Sequence, residues 1–278
     1  MPRLCLLAAA LLFSTAGMAV KGSTFTTAQI GCFRAIVAVL TLLILVPDTR
    51  RRPDLKALAL AVVYGGCMGT FVIATRLTHA ANAIFLQDTA PLFLLLLGPL
   101  VLKEPMRRRD PWLLLTILGG LLLLFSADVP ESQNAPDPDL GNLVALLSGL
   151  CWAVTLMGLR QRAKAGQPTG PVILAGNVMA ALMFAPFVGN VETQSALSIG
   201  GIVWLGAVQI GLAYMLLVRG LASVPALQAS LLMLIEPVLN PFWAFLVHDE
   251  RPHLLVIAGG AIILATTIAD AVLSTRSR

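Results

Sequence analysis

The feature that most restricts this chain is the length of its apolar runs. LCLLAAALLFSTAGMAV (4–20), AIVAVLTLLILV (35–46) and PWLLLTILGGLLLLFSA (111–127) contain no charged residue. The apolar positions are continuous rather than striped along one helix face. A helix needs about 20 mostly apolar residues to cross a bilayer. Ten such segments follow one another: 4–20, 25–47, 57–75, 79–102, 111–127, 140–159, 170–189, 196–218, 224–247 and 254–272. The first, fifth and last are short. Only 12% of the residues are charged, against about 25% in a soluble protein, so no stretch is left for a soluble domain. The predicted fold is an all-α polytopic membrane protein with ten transmembrane helices.

A net charge of +5 raises the idea of a nucleic-acid partner, and the positions of the charges exclude it. If the N-terminus is cytoplasmic, fifteen of the 19 basic residues fall on the cytoplasmic side. They are Arg3, Arg50–Arg52, Lys56, Lys103, Arg107–Arg109, Arg160, Arg162, Lys164, Arg219, Arg276 and Arg278. Lys21, Arg76 and Arg251 fall on the other side, and Arg34 lies within a span. Basic residues concentrate in cytoplasmic loops, so the excess reports topology, with both termini cytoplasmic. The acidic stretch DVPESQNAPDPD (128–139) then lies outside. MPR before an apolar run also resembles a signal peptide, whose removal would leave nine spans; the internal repeat described next counts against that. Cys5, Cys32, Cys67 and Cys151 all lie inside spans without metal-site spacing and read as small packing residues.

The chain repeats itself. AANAIFLQDTAPLFLLLLGPLVLKE (80–104) and ALQASLLMLIEPVLNPFWAFLVHDE (226–250) align at a constant offset. Ala80 falls on Ala226, Ala83 on Ala229, Pro91 on Pro237 and Glu104 on Glu250. A double glycine follows each, Gly119-Gly120 and Gly259-Gly260. The expected organisation is a first five-helix repeat at 1–127, an external linker at 128–139 and a second five-helix repeat at 140–278. Five spans per repeat is odd, so the second must enter the membrane inverted. Inverted repeats with a midplane site between them are a secondary-transporter architecture.

The ordered set of features resembles the EamA-type family of the drug/metabolite transporter superfamily. The A-x-x-A…P…E pattern occurs twice, with a glycine-rich span after each. AGMAVK…FR (16–21, 33–34) is similar to the family's first-repeat opening, and LIEP…HDERP (234–237, 248–252) to its second-repeat closing motif. The tryptophan expected near Ala16 is absent, while Trp152 stands at the matching place in the second half. The resemblance implies ten helices and movement of small metabolites such as amino acids, commonly outward. It also implies that Lys21 could gate an anionic group; the plainer reading is that Lys21 snorkels to the surface.

Charges within a span are costly and usually face a cavity or a partner. Arg34 and Asp88 lie about nine residues into their spans, roughly 13 Å deep at 1.5 Å per residue. Glu236 lies about twelve residues in, roughly 18 Å from the other face. All three thus fit one layer of a ~30 Å core. An Arg34–Asp88 pair is expected, leaving Glu236 as the spare acid that exchanges a proton; the alternative is a fixed brace between helices 2 and 4. Pro91, Pro237 and Pro241 remove backbone hydrogen bonds. With Gln87, Asp88, Glu236 and Asn240 around them, they suggest a kinked, polar-lined segment in each half, or a plain packing kink. Trp152, Tyr214 and Tyr64 are candidate cavity-lining aromatics. Asn177, Gln209 and Gln228 read as cross-helix hydrogen-bonding residues.

The three histidines, His79, His248 and His253, sit at one edge, and no H-E-x-x-H or phosphate-binding loop is present. A membrane enzyme is therefore disfavoured, as is an ATP-driven pump; a channel or a non-transporting membrane protein are the alternatives. The expectation is a secondary transporter of small molecules in a bacterial-type inner membrane, working by alternating access. No cofactor, metal or nucleic acid is expected. Partners are the solute and the bilayer, with proton coupling through Glu236 as one energy source. A monomer suffices, and a homodimer stays open.

Overall fold

The computed structural model describes residues 2–16, 19, 23–78, 80–104, 106–126, 137–248 and 254–276, and the described residues are helices joined by short connections. The helices are α1 (Pro2–Phe13), α2 (Thr27–Leu45), α3 (Leu55–Leu77), α4 (Ala80–Gln87), α5 (Ala90–Val101), α6 (Asp110–Phe125) and α7 (Pro138–Lys164). After them come α8 (Gly170–Phe184), α9 (Ala196–Val203), α10 (Ala213–Leu221), α11 (Ala226–Met233), α12 (Ile235–His248) and α13 (Leu254–Arg276). A π-helical stretch, Trp204–Leu212, joins α9 to α10. Polar caps set several starts. Thr26 and Gln29 form a reciprocal capping box on α2. Asp54 accepts from the Ala57 amide at 2.6 Å to begin α3, and Asp137 caps α7 through the Leu140 amide at 3.1 Å.

Five helical stretches are long and apolar enough to cross a membrane: Thr27–Leu45, Leu55–Ala74, Pro138–Lys164, Gly170–Phe187 and Ala196–Leu221. Five shorter apolar helical stretches accompany them: Pro2–Phe13, Ala90–Val101, Asp110–Leu123, Ala226–Leu239 and Ile257–Ala269. The perimeter is apolar, with Ile44, Leu100, Leu197 and Leu254 each more than 70% exposed. An aqueous surface of that kind would be a liability, whereas lipid solvates it. The chain is an integral membrane protein.

Two segments expected as single kinked helices, 79–102 and 224–247, are each two helices. The first breaks at Asp88–Thr89 and the second at Leu234, three residues before Pro91 and Pro237. The cause is the missing N–H of each proline, which leaves the carbonyl four residues earlier, on Gln87 and Met233, without its helical donor. Each proline then lies in the first turn of the following helix, where amide donors lack intrahelical partners anyway. Asp88 and Leu234 are equivalent positions of the sequence repeat. Pro241 lies inside α12, which runs on through it.

Helices before and after the 127–136 stretch are interleaved. α3 packs on α7 and α8, α2 on α8 and the π stretch, α4 and α5 on α7, α6 on α13, and α1 on α10, α11 and α12. Exchanging each early span with its counterpart five spans later returns the same pairings. The large core runs through α1, α2, α3, α5, α7, α8, α10 and α11. A smaller one joins Leu114, Ile117 and Leu121 of α6 to Leu231, Leu234 and Ile263.

Candidate functional site

The break between α4 and α5 is held by α7. Gln87 donates from Nε2 to Ser148 Oγ at 2.8 Å, and Ser148 Oγ donates to the Cys67 carbonyl of α3 at 3.0 Å. Gly149 stands directly against the exposed turn. A Cβ there would lie 2.9 Å from the Leu86 carbonyl oxygen and 3.0 Å from that of Gln87, so only glycine lets the α7 backbone approach so closely. Non-helical backbone at membrane depth survives where protein satisfies it, and this clamp supplies the protein.

The break places Asp88 within electrostatic reach of Glu236, which lies in the first turn of α12 after the other break. Each of the two broken spans thus carries one acid of this interacting pair. Asp88, Glu236 and Arg34 are all partly buried within the bundle. Asp88 Oδ2 is buried without a hydrogen-bond partner. The expected Arg34–Asp88 pair is not formed, and with it goes the brace between helices 2 and 4. Arg34 instead lies within electrostatic reach of Tyr64 and Tyr214. The reason is lateral: α2 packs on α8 and the π stretch, whereas α4 and α5 pack on α7. The two charges sit on helices with different main partners.

The phenols form the centre of this layer. Tyr214 meets Tyr64 and Phe13 edge-on at 5.1 Å each, and Trp152 at 6.2 Å. Both tyrosines are nearly fully buried. Asn177 of α8 donates to the Tyr64 hydroxyl at 3.3 Å, a cross-helix bond of the kind expected for it. Tyr214 is also within electrostatic reach of Glu236. Electrostatic reach thus links the guanidinium, the two phenols and the two carboxyls into one central layer. The Arg34 side rests on a tight crossing, because a Cβ on Gly206 of the π stretch would lie 2.6 Å from the Arg34 carbonyl oxygen.

The two ends of the bundle are tied differently. At the end carrying residues 102–109, 160–169 and 219–226, Glu104 accepts from Arg160 Nε at 2.8 Å. It also accepts from the Ala226 amide at 3.2 Å and pairs with Lys164 at 3.6 Å. Arg160 donates onward to the Leu221 and Ala222 carbonyls at 2.6 and 2.7 Å. Gln228, with its amide oriented to satisfy its hydrogen bonds, accepts from the Arg107 guanidinium at 2.9 Å. Nearby, Arg162 holds Asp54 with two hydrogen bonds of 2.9 Å. The Arg162 guanidinium, helped by the Ala57 amide, keeps the Asp54 carboxyl below the usual carboxylate range. Towards the opposite end the described links are neutral. Trp243 and Trp204 donate their indole N–H to Ser14 at 2.8 Å and Thr15 at 2.9 Å, and Gln29 donates to the Val188 and Asn190 carbonyls at 3.0 Å.

Of the residues singled out from sequence, Arg34, Gln87, Asp88, Glu236, Trp152 and Tyr214 fall in or beside the central layer. Lys21 lies outside the described residues. Asn240 and Pro241 belong to the α12 backbone, but their side chains lie outside the described set. Gln209 is buried, and its Oε1 has no partner. Sequence reasoning missed Ser148 and Gly149, the hydroxyls of Ser14 and Thr15, and the Glu104–Arg160 pair. The one available signal was Glu104 itself, an acid repeated at Glu250 directly after an apolar span.

The EamA-like transporter family model matches residues 2–126 and again residues 139–269. The pseudopaline exporter CntI of Pseudomonas aeruginosa is 26% identical over 265 residues, 92% of this chain and 91% of that protein. The uncharacterized transporter YdfC of Bacillus subtilis is 28% identical over 86% of this chain and 79% of its own length. The riboflavin transporter ImpX of Fusobacterium nucleatum is 31% identical over a shorter stretch, 40% of this chain and 39% of that one. A protein crystal structure 21% identical superposes over 100% of this chain and 98% of its own with a TM-score of 0.80, a likeness of fold.

Proposed function

The chain belongs to the EamA-like transporter family, and from that premise we propose that it is a secondary carrier that exports small metabolites such as amino acids by alternating access. The observation that carries the reading is that two acids on broken spans, Asp88 and Glu236, lie within electrostatic reach of each other in a bundle that also holds Arg34 within a span. Discontinuous helices that present charged groups near the bilayer midplane are how carriers of this architecture hold solutes and coupling ions. A layer with a guanidinium at one side and carboxyls at the other suits a solute bearing both an ammonium and a carboxylate. In this reading the two carboxyls, of which Asp88 Oδ2 has no hydrogen-bond partner, are the place for a coupling proton.

The reciprocal helix pairing and the two matches to the family model support two inverted halves, 1–127 and 140–278, joined by an external linker. The basic loops support an orientation with that end and both termini in the cytoplasm of a bacterial inner membrane. The exporter among the relatives supports the outward direction. Each chain supplies both halves, so a monomer suffices.

The test is counterflow into proteoliposomes loaded with a mixed amino-acid and metabolite pool, at acidic and at alkaline pH, with Glu236→Gln beside the unaltered protein. One solute should exchange, and the variant should lose the pH dependence of its exchange. Unchanged transport with unchanged pH dependence would remove Glu236 from the mechanism; absence of saturable exchange in both proteins would remove the carrier reading.

A further inference from the structure

The strongest group outside the central layer is the charge network at the basic end. We infer that Glu104 and Arg160 form a latch that shuts this end of the interior and must part for a solute to pass. The inference rests on the carrier reading for its purpose, but not for its geometry.

Three observations carry it. The first is where the contacts lie. Glu104 follows α5 by three residues, and Ala226, whose amide it holds, is the first residue of α11. Arg160 lies near the end of α7, and the carbonyls it holds, Leu221 and Ala222, end α10. One ion pair therefore gathers four elements, two of them the half-helices that lead to the acids. α5 begins two residues after Asp88, and α11 ends three residues before Glu236. A shift of either half-helix when the layer is occupied is delivered to Glu104 or to the Ala226 amide.

The second is burial. Arg160 is 7% exposed and the Glu104 side chain 15%, so the pair sits within the seal rather than on its rim. The contact between Arg107 and Gln228 makes a second strand of the same closure, from the 102–109 loop to α11.

The third is the energetics of such a pair. Separating one partner from the other inside a dry core is strongly unfavourable, yet moving both into water nearly restores what the pair provides. A seal built this way has two acceptable arrangements, closed and dry or open and hydrated, and few between. A seal of leucines has no hydrated alternative.

The experiment uses the full chain in lipid nanodiscs with spin labels at Arg108 and Ser223, exposed positions on the two sides of the closure, and reads their separation by double electron–electron resonance. The unaltered protein should show mainly one short distance. Glu104→Gln removes the charge and sets an amide N–H against the donors that Glu104 now holds. It should raise the long-distance fraction several-fold. An identical distribution in folded Glu104→Gln would overturn the latch. If that variant does not fold, Lys164→Met, which removes only the outer 3.6 Å contact, must produce a smaller widening, and none would overturn it equally. Widening in a protein that exchanges no solute would keep the latch and dismiss the carrier reading.

Discussion

The two ends of the bundle solve the same problem with different chemistry. At the basic end the described contacts between early and late helices are charged: the buried pair of Arg160 with Glu104, and the half-exposed Asp54 held by Arg162 across 108 residues. Towards the other end, among the described residues, they are indole, amide and hydroxyl bonds, such as Trp243 to Ser14 and Gln29 to Val188. Neutral hydrogen bonds contribute modestly, about 1 kcal/mol net, and tolerate small displacements. Charge pairs in a dry setting hold one geometry and penalise half-separated ones. The difference suggests that the basic end is built to be either shut or open, while the other end yields gradually.

Three substitutions would break or sharpen that contrast. The largest effect is expected from Arg160→Met, which leaves Glu104 buried without its main partner and the Leu221 and Ala222 carbonyls without a donor. It should cost the closed conformation about 3–5 kcal/mol, and hydrogen exchange at the Ala226 amide should accelerate at least about a hundredfold. An effect within that of a neutral bond would erase the distinction between the ends. Next is Trp243→Phe, which loses one indole donor while Ser14 keeps its own bond to the Leu11 carbonyl at 2.7 Å. The expected cost is about 1 kcal/mol, read as a small fall in the unfolding midpoint in detergent.

The smallest effect is expected from Asp54→Asn, because the Asp54 side chain is 51% exposed and solvent screens it. Its signature is a pH dependence. The folded form binds this proton less readily than the unfolded chain, so the stabilisation is present above the ordinary carboxylate value. It fades as pH falls through the lower folded value. Asp54→Asn should therefore flatten the profile by lowering stability slightly at neutral pH while leaving the acid end nearly unchanged. A profile that fails to flatten would show that the Arg162 contact is decorative.

Much of this was legible because membranes simplify the reading. Apolar runs reveal spans, and Pro91 and Pro237 mark breaks because a missing N–H is a property of the residue alone. The expectation of one layer holding Arg34, Asp88 and Glu236 came from counting residues along each helix, which speaks to depth alone. The surroundings of Arg34 were not legible, because depth says nothing about position around the bundle, and it is Tyr64 and Tyr214 that lie within its electrostatic reach. Glu104 and Arg160 were read only as loop charges that report orientation. Their meeting spans 56 residues and depends on how α5 and α7 converge. Gly149 was invisible for a similar reason, since its role exists only once α7 lies against a broken turn.

The interleaved pairing has a consequence for how the protein is made. Synthesis delivers the early helices first, and their main partners do not yet exist. α2 awaits α8, α3 awaits α7, and α6 awaits the last helix, α13. Until then the turn at Gln87 lacks its hydrogen bond to Ser148 of α7, and Asp88 lacks Glu236 within electrostatic reach. Assembly of this chain is therefore a late event that closes when the ribosome has nearly finished, and a nascent first half is a client for whatever in the membrane shelters unpaired polar helices.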